Sequence, residues 1–268
     1  MKHKSFLYNN TIINYQDEGQ GEKTIVLLHG FMNDLEVWAS YVFKYMKDIR
    51  VVTVDLLGHG ESKDGNNEVH SMEMQSNMIV ELLQHINVDS CIVVGHSMGG
   101  YVALTLADLY PSLIKGLCLI NSHSLADSET VRKNRERMCE VVRENRAGFI
   151  VNFIPELFFE QNRDRLHSEI KLLEANAMQL KQEDIIASQK GMMERKNKLD
   201  VLINAHFPIL FIAGKNDPRI EVEEIFAQAM LPHHSEVMLL ENVAHMAHLE
   251  AKLLVQVRLL SFLNMCYL

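Results

Sequence analysis

The chain has 268 residues, 47% of them hydrophobic and 23% charged, an ordinary globular composition with enough length for one well-buried core. Its 26 Lys plus Arg against 35 Asp plus Glu give a net charge of −9, which repels phosphate backbones and anionic lipid headgroups and argues against nucleic acid or a membrane surface as partner. No apolar run approaches the roughly 18–20 uncharged residues of a membrane helix, and Met1-Lys2-His3-Lys4-Ser5-Phe6 leads into a strand-like alternation with no signal-type apolar core.

In chain order, Phe6 to Tyr15 reads as a hairpin turned at Asn9-Asn10. Short apolar runs rich in Val and Ile follow. Thr24 to Leu28 ends in His29-Gly30, Val51 to Val54 in Asp55, Cys91 to Val94 in Gly95, and Lys115 to Ile120 in Asn121. Pro208 to Ala213 ends in Gly214, and Glu236 to Leu240 comes last. Runs of this length, apolar on both faces, suit central strands of a parallel sheet. Helical patterns at Ser71–His85, Met98–Tyr110, Val222–Met230 and Leu249–Phe262 separate most of them. The alternation predicts a doubly wound α/β core, in which ligands collect at the carboxyl ends of the strands.

One stretch breaks the alternation. From residue 122 to 202 no strand pattern occurs, which predicts a helical insertion of about 80 residues over a core made of 1–121 and 203–268. Asp127 or Ser128 is placed to cap a helix through Val131, Met138 and Val142. Phe149 to Glu160 is helical in pattern, with Pro155 expected to kink or divide it, and further helices fall near Leu166–Leu180 and Asp184–Lys196. The four cysteines, Cys91, Cys118, Cys139 and Cys266, form no CxxC pair and read as reduced residues of a cytoplasmic protein.

The chemistry collects at the strand ends. Gly95-His96-Ser97-Met98-Gly99-Gly100 contains G-x-S-x-G, weak alone but here directly after a buried strand and before a helix. So tight a turn exposes the Ser97 hydroxyl, and the helix amino terminus favours a developing oxyanion. Ser97 needs a base, and His245 occupies the loop after the last strand; His248, three residues on, is expected to cap or pack. That histidine pair has no third ligand at metal spacing, so no metal is expected. Asp217, the only carboxylate in Gly214-Lys215-Asn216-Asp217-Pro218, is the candidate acid that orients His245. Asn121, where related architectures can carry the acid, is an amide, which strengthens Asp217. Candidate oxyanion donors are the backbone N–H groups of Met98 and Phe31, with His29 expected to organise the second loop.

Together, His29-Gly30-Phe31, Asp55 to Ser62, Gly95 to Gly100, Gly214 to Asp217 and the His245 loop resemble the α/β-hydrolase family, most closely its small esterase and lactonase-like members with a helical cap. The resemblance implies a mostly parallel eight-stranded sheet, no cofactor, and a two-step acyl-enzyme mechanism on a small-molecule ester, thioester or lactone. It gives the Asp55 to Ser62 loop, similar to the family's D-x-x-G-x-G-x-S, a structural part. Ala244-His245 departs from the Gly-His of many relatives, which bears on that loop's shape. The same fold and triad also serve lyases, C–C bond hydrolases, cofactor-free perhydrolysis, or a receptor with little turnover. Ser97 counts against haloalkane dehalogenation, which uses an aspartate at that place.

Substrate contacts are expected from the insertion. Phe153, Leu157 and Phe158, in an apolar stretch from Phe149 to Phe159, are candidate pocket residues, as is flexible surface from Met138, Met178, Met192 and Met193. Packing of the insertion onto the core would use the same side chains. Arg132, Lys133, Arg135, Arg137, Arg143 and Arg146 alternate with glutamates and read as a solvated helix face.

Overall fold

A computed structural model describes residues 2–41, 48–64 and 67–268; Met1, the first residue of the opening segment considered above, lies outside them. Eight strands form one sheet in the order β1-β2-β4-β3-β5-β6-β7-β8. They are β1 Lys4–Tyr8, β2 Thr11–Glu18, β3 Lys23–Leu28, β4 Ile49–Val54, β5 Cys91–His96, β6 Ile114–Ile120, β7 Ile209–Gly214 and β8 Ser235–Leu240. The β1–β2 and β2–β4 pairs are antiparallel and every other pair is parallel. The predicted hairpin is present. Tyr8 pairs with Thr11 across Asn9 and Asn10, at φ 44° and 66°, the left-handed pair that matches the twist of a two-residue hairpin.

The order explains where a site can form. The chain steps from β3 to β4 on one side, then returns to lay β5 on the other side of β3. Connections therefore leave the ends of β3 and β5 in opposite directions and open a crevice at their carboxyl ends. Every residue of β5 and β7 is buried, as central strands covered on both faces require; β8, at the edge, is mostly half-buried.

Helix α1, Met72–His85, packs against α2, Met98–Leu109, which lies on β3, β5 and β6. Helix α1 starts where the Ser71 side chain accepts from the Met74 N–H, an N-cap bond. Between β6 and β7 come only helices: α3 Glu129–Glu156, α4 His167–Ala177, α5 Gln182–Glu194 and α6 Leu199–Ile203. Then α7, Val222–Ala229, precedes β8, and α8, Ala247–Glu250, and α9, Lys252–Cys266, close the chain. All four cysteines are free thiols. No helix among the described residues is long and apolar enough to cross a membrane.

Helix α3 departs from the sequence reading at Pro155. Ser128 caps it, and its one break, at Asn145 (φ −151°, ψ 77°), falls between the two helical stretches read through Val142 and from Phe149, but the chain is not broken at Pro155. The Asn145 Oδ1 accepts from the Gly148 N–H at 2.9 Å, so the side chain starts the second half of the helix as an N-cap would. Pro155 falls in the final turn, where it cannot donate to the carbonyl four residues back, and the helix ends one residue later at Glu156.

Candidate active site

Ser97 links β5 to α2 in a backbone conformation of φ 51° and ψ −115°. A non-glycine residue there is strained by about 1–3 kcal/mol and persists only where its surroundings fix it. They do so through the Ser97 N–H, which donates to Ile120 O at 2.9 Å, and the Ser97 carbonyl, which accepts from Ser122 Oγ at 2.9 Å. Close packing explains Gly99: a Cβ there would lie 2.5 Å from Leu28 O and 2.6 Å from His29 O. The start of α2 therefore presses directly on the end of β3.

The structure brings Ser97, His245 and Asp217 into one line. Ser97 Oγ lies 2.9 Å from His245 Nε2, and His245 Nδ1 lies 2.8 Å from Asp217 Oδ2 and 2.9 Å from Oδ1. A carboxylate accepts only, so Nδ1 carries the proton and Nε2 is left to accept from the serine hydroxyl. Asp217 also accepts from the Arg219 N–H and from Asn121 Nδ2, each at 2.8 Å. Burial works against its charge, but the adjacent His245, these hydrogen bonds and that from His245 hold the carboxyl below its ordinary value.

The loop that carries His245 is tied down by groups the sequence reading did not select. Asn121 Nδ2 reaches Ala244 O at 3.0 Å as well as Asp217, and its Oδ1 accepts from the Ala247 N–H at 3.3 Å. The buried Glu250 carboxylate accepts from the Ala244 N–H at 2.9 Å, the Phe159 N–H at 2.9 Å and Asn162 Nδ2 at 2.8 Å. The His245 N–H donates to Leu157 O at 2.9 Å. Asn121 had a signal, a polar residue ending a buried strand; Glu250 had none beyond its nearness to His245.

His96 belongs to the same support. Its Nε2–H donates to His245 O at 2.9 Å, and a Cβ on Gly30 would come within 2.6 Å of its Nδ1 and 3.3 Å of the Ser97 Cβ. The absence of a side chain at Gly30 thus lets the loop after β3 approach the serine. His29 organises that loop: its Nε2 accepts from the Leu56 N–H at 3.0 Å while Nδ1–H donates to Gly30 O at 2.8 Å. Burial pushes His29 down to about 4, the Gly30 carbonyl opposing it. Neither the Phe31 nor the Met98 N–H donates to any described residue. His248 packs between His96 (ring centroids 4.1 Å) and Trp38 (5.0 Å), and burial lowers it to about 3. It is a packing residue, as its position suggested.

Above this line lies a cavity of about 590 Å³ that reaches Ser97, His245 and Phe31. Phe153 and Leu157 line it, one helical turn apart on one face. Phe158 does not: it is 1% exposed in the core, because the chain leaves α3 at Leu157 and turns the next side chain inward. Among the methionines, Met138 and Met192 line the cavity. Arg135 corrects the reading of a solvated face. It lines the cavity and its Nε pairs with Asp127 at 2.7 Å, whereas Arg132, Lys133, Arg137 and Arg143 are exposed. Arg195, Arg219, Tyr101 and His123, which the sequence reading did not single out, line it too.

The sequence model for the α/β-hydrolase fold matches residues 23–252. The chain belongs to the α/β-hydrolase fold family. It is an enzyme of that family, a hydrolase by membership. This α/β-hydrolase is 29% identical over 251 residues, 92% of its length, to the dihydrolipoyllysine-residue acetyltransferase component of the acetoin cleaving system of Pseudomonas putida, of whose length it spans 65%. It is 24% identical over 255 residues, covering 91% of each chain, to the (E)-2-((N-methylformamido)methylene)succinate hydrolase of Acinetobacter baylyi. Among solved structures, a thermophilic esterase from Thermogutta terrifontis, determined with malate bound, matches with a TM-score of 0.92 and 26% identity over 100% of both chains.

Proposed function

We propose that this chain is a serine hydrolase that cleaves a small-molecule carboxylic ester, thioester or lactone through an acyl-enzyme on Ser97. The observation that carries the reading is the hydrogen-bonded line from Ser97 Oγ through His245 to Asp217, opening into a cavity. Residues 122–202 act as the cap over a core of 1–121 and 203–268, and Phe153 and Leu157 contact substrate. The esterase and succinate-derivative hydrolase among the similar proteins support this class of chemistry.

In the first half-reaction Ser97 Oγ bonds to the carbonyl carbon as His245 Nε2 takes its proton. The Phe31 and Met98 N–H groups, which have no partner among the described residues, donate to the oxyanion. The imidazolium, stabilised by Asp217, then protonates the leaving oxygen or sulfur as its bond to carbon breaks. In the second half, water gives a proton to His245 and attacks the acyl carbon. The Ser97 Oγ–carbon bond breaks and Ser97 recovers the proton.

Hydrolysis of p-nitrophenyl esters from acetate to decanoate, by the wild type and by Ser97→Ala, tests this. Turnover lost in the variant is the expected result, and the preferred chain length sizes the cavity. A folded wild type inert on every ester would overturn the ester reading in favour of C–C cleavage or lyase chemistry at the same residues.

A further inference from the structure

The cavity is richer in arginine than ester chemistry alone requires. Arg135 from α3, Arg195 from the end of α5 and Arg219 from the loop after β7 all line it. Arg135 and Arg195 share Asp127 (Nε to Oδ2 at 2.7 Å and Nη1 to Oδ1 at 2.5 Å), so that trio keeps one net positive charge. Arg195 is otherwise occupied by Leu125 O, Met192 O and the Tyr101 ring, 4.0 Å from its guanidinium carbon. It braces the wall.

Arg135 and Arg219 have donors to spare for a guest. Arg135 uses Nε on Asp127 and Nη1 on Gln189 Oε1 at 3.0 Å, and its Nη2 donates to no described residue. The Arg219 guanidinium makes no hydrogen bond to any described residue. Its carbon lies 4.7 Å over the Phe153 ring, which leaves the N–H edge for a guest, and its only ion pair among the described residues is with Glu156, 3.9 Å away and 67% exposed. Burial, and after it the charge of Arg135, depress Arg219 from its ordinary value, with Glu156 and Asp217 opposing. Arg135 and Arg219 thus line the same cavity as Ser97, close enough for the charge of one to act on the other.

We propose that the substrate carries a free carboxylate, as in a dicarboxylic half-ester or a lactone acid, held between Arg135 and Arg219. A planar carboxylate matches the guanidinium fork. Glu221 and Glu224 also line the cavity, and neither pairs with an arginine among the described residues. Their charge favours a monoanion over a doubly charged phosphate. The volume of about 590 Å³ suits a small ligand of this kind.

The inference rests on the hydrolase reading for its ester but not for its anion, so two measurements are needed. The first is the ratio of kcat/KM for monomethyl glutarate to that for dimethyl glutarate, in the wild type, Arg219→Gln and Arg219→Lys. The second is calorimetric binding of glutarate to Ser97→Ala, with and without Arg219→Gln, which needs no turnover. Arg219 lies on a half-exposed loop, so its replacement spares the fold. The expected result is a ratio about tenfold lower in Arg219→Gln and only partly restored in Arg219→Lys, which returns the charge without the fork, with glutarate binding weakened in Arg219→Gln by about the same factor, the size of one charge-assisted contact. Glutarate binding that depends on Arg219 in a protein inert on all esters would uphold the anion site and sink the ester reading. Ester turnover with an unmoved ratio, or no glutarate binding at millimolar concentration, would overturn the anion site.

Discussion

The His245 N–H donates to the Leu157 carbonyl at 2.9 Å, so the loop that carries the imidazole is fastened to the residue that ends α3 and also lines the cavity. Glu250 makes the same connection a second way, accepting from Ala244 on one side and from Phe159 and Asn162 on the other. The end of α3 and the turn after it therefore help set the position of His245 as well as lining the cavity.

Glu250→Ala should lower both stability and activity. It strips a buried carboxylate from two backbone N–H groups and an amide, and each hydrogen bond to a charged group is worth about 1.5–3 kcal/mol. A loss of about 3–5 kcal/mol in chemical denaturation is expected, with kcat falling more than KM rises because His245 drifts from Ser97. A variant that unfolds at the wild-type denaturant concentration and keeps wild-type kcat would remove Glu250 from this role.

Asp217→Asn should be nearly inactive while remaining folded. Everything that faces the carboxylate donates to it: His245 Nδ1–H, the Arg219 N–H and Asn121 Nδ2. An amide NH₂ placed there meets a donor whichever way it turns. The simplest relief is for His245 to move its proton to Nε2, where it can no longer accept from Ser97. The expected fall in kcat is about 10⁴-fold, the scale seen when a triad histidine adopts the wrong tautomer. A fall below tenfold would mean that Asp217 does not set the tautomer.

Much of this arrangement is written locally and some is not. Ser97, Asp217 and His245 are legible because each ends a recognisable apolar run, and parallel strands deliver their carboxyl ends to one edge. Gly30 and Gly99 are legible as glycines but not as neighbours: only the sheet order puts Leu28 and His29 against α2. Arg135 illustrates the failure. Its i and i+4 neighbours share the charged pattern of Arg132 to Arg146, and what separates it is Asp127, reached through the turn before α3, and Gln189 from α5. A helix pattern records which face a residue is on, not which neighbouring element covers that face. Asn145 shows the converse: it lies in the gap between the helical stretches read through Val142 and from Phe149, and the cap it makes there is a local event.

Stability should fall as pH drops from neutrality. Burial depresses His29 to about 4 and His248 to about 3, and holds His59 and His96 well below the ordinary value. For a group whose folded value is lower than its unfolded value near 6.5, the folded state is at no disadvantage above about pH 6.5 and loses up to about 1.4 kcal/mol per pH unit below it. The loss continues until the folded value is reached. Asp55 has the opposite sign, since burial raises it to about 6 against three donated hydrogen bonds; its contribution grows as pH falls through 6 and offsets one histidine. Asp217 lies below its ordinary 3.8 and acts only in stronger acid. The denaturation midpoint should thus decline between pH 7 and pH 5. Because both His248 ring nitrogens lack partners among the described residues, His248→Phe should flatten the slope by one group's share. A midpoint constant over that range would contradict the buried neutral histidines.

Gly30→Ala isolates the oxyanion loop. The added methyl would lie 2.6 Å from His96 Nδ1 and 3.3 Å from the Ser97 Cβ. His96 cannot yield easily, because its Nε2–H is bonded to His245 O and its ring packs 4.1 Å from His248. The loop must retreat instead, carrying the Phe31 N–H away from the position of the oxyanion. Removing one such donor costs about 10²–10³ in kcat. That loss is expected for an uncharged ester with KM changed little, since ground-state contacts to Phe153 and Leu157 persist. Gly99→Ala is the contrasting control: its methyl would strike the carbonyl oxygens of Leu28 and His29, which are backbone, so it should lose stability first. If Gly30→Ala folds normally and retains wild-type kcat, the second oxyanion donor must be sought somewhere other than Phe31.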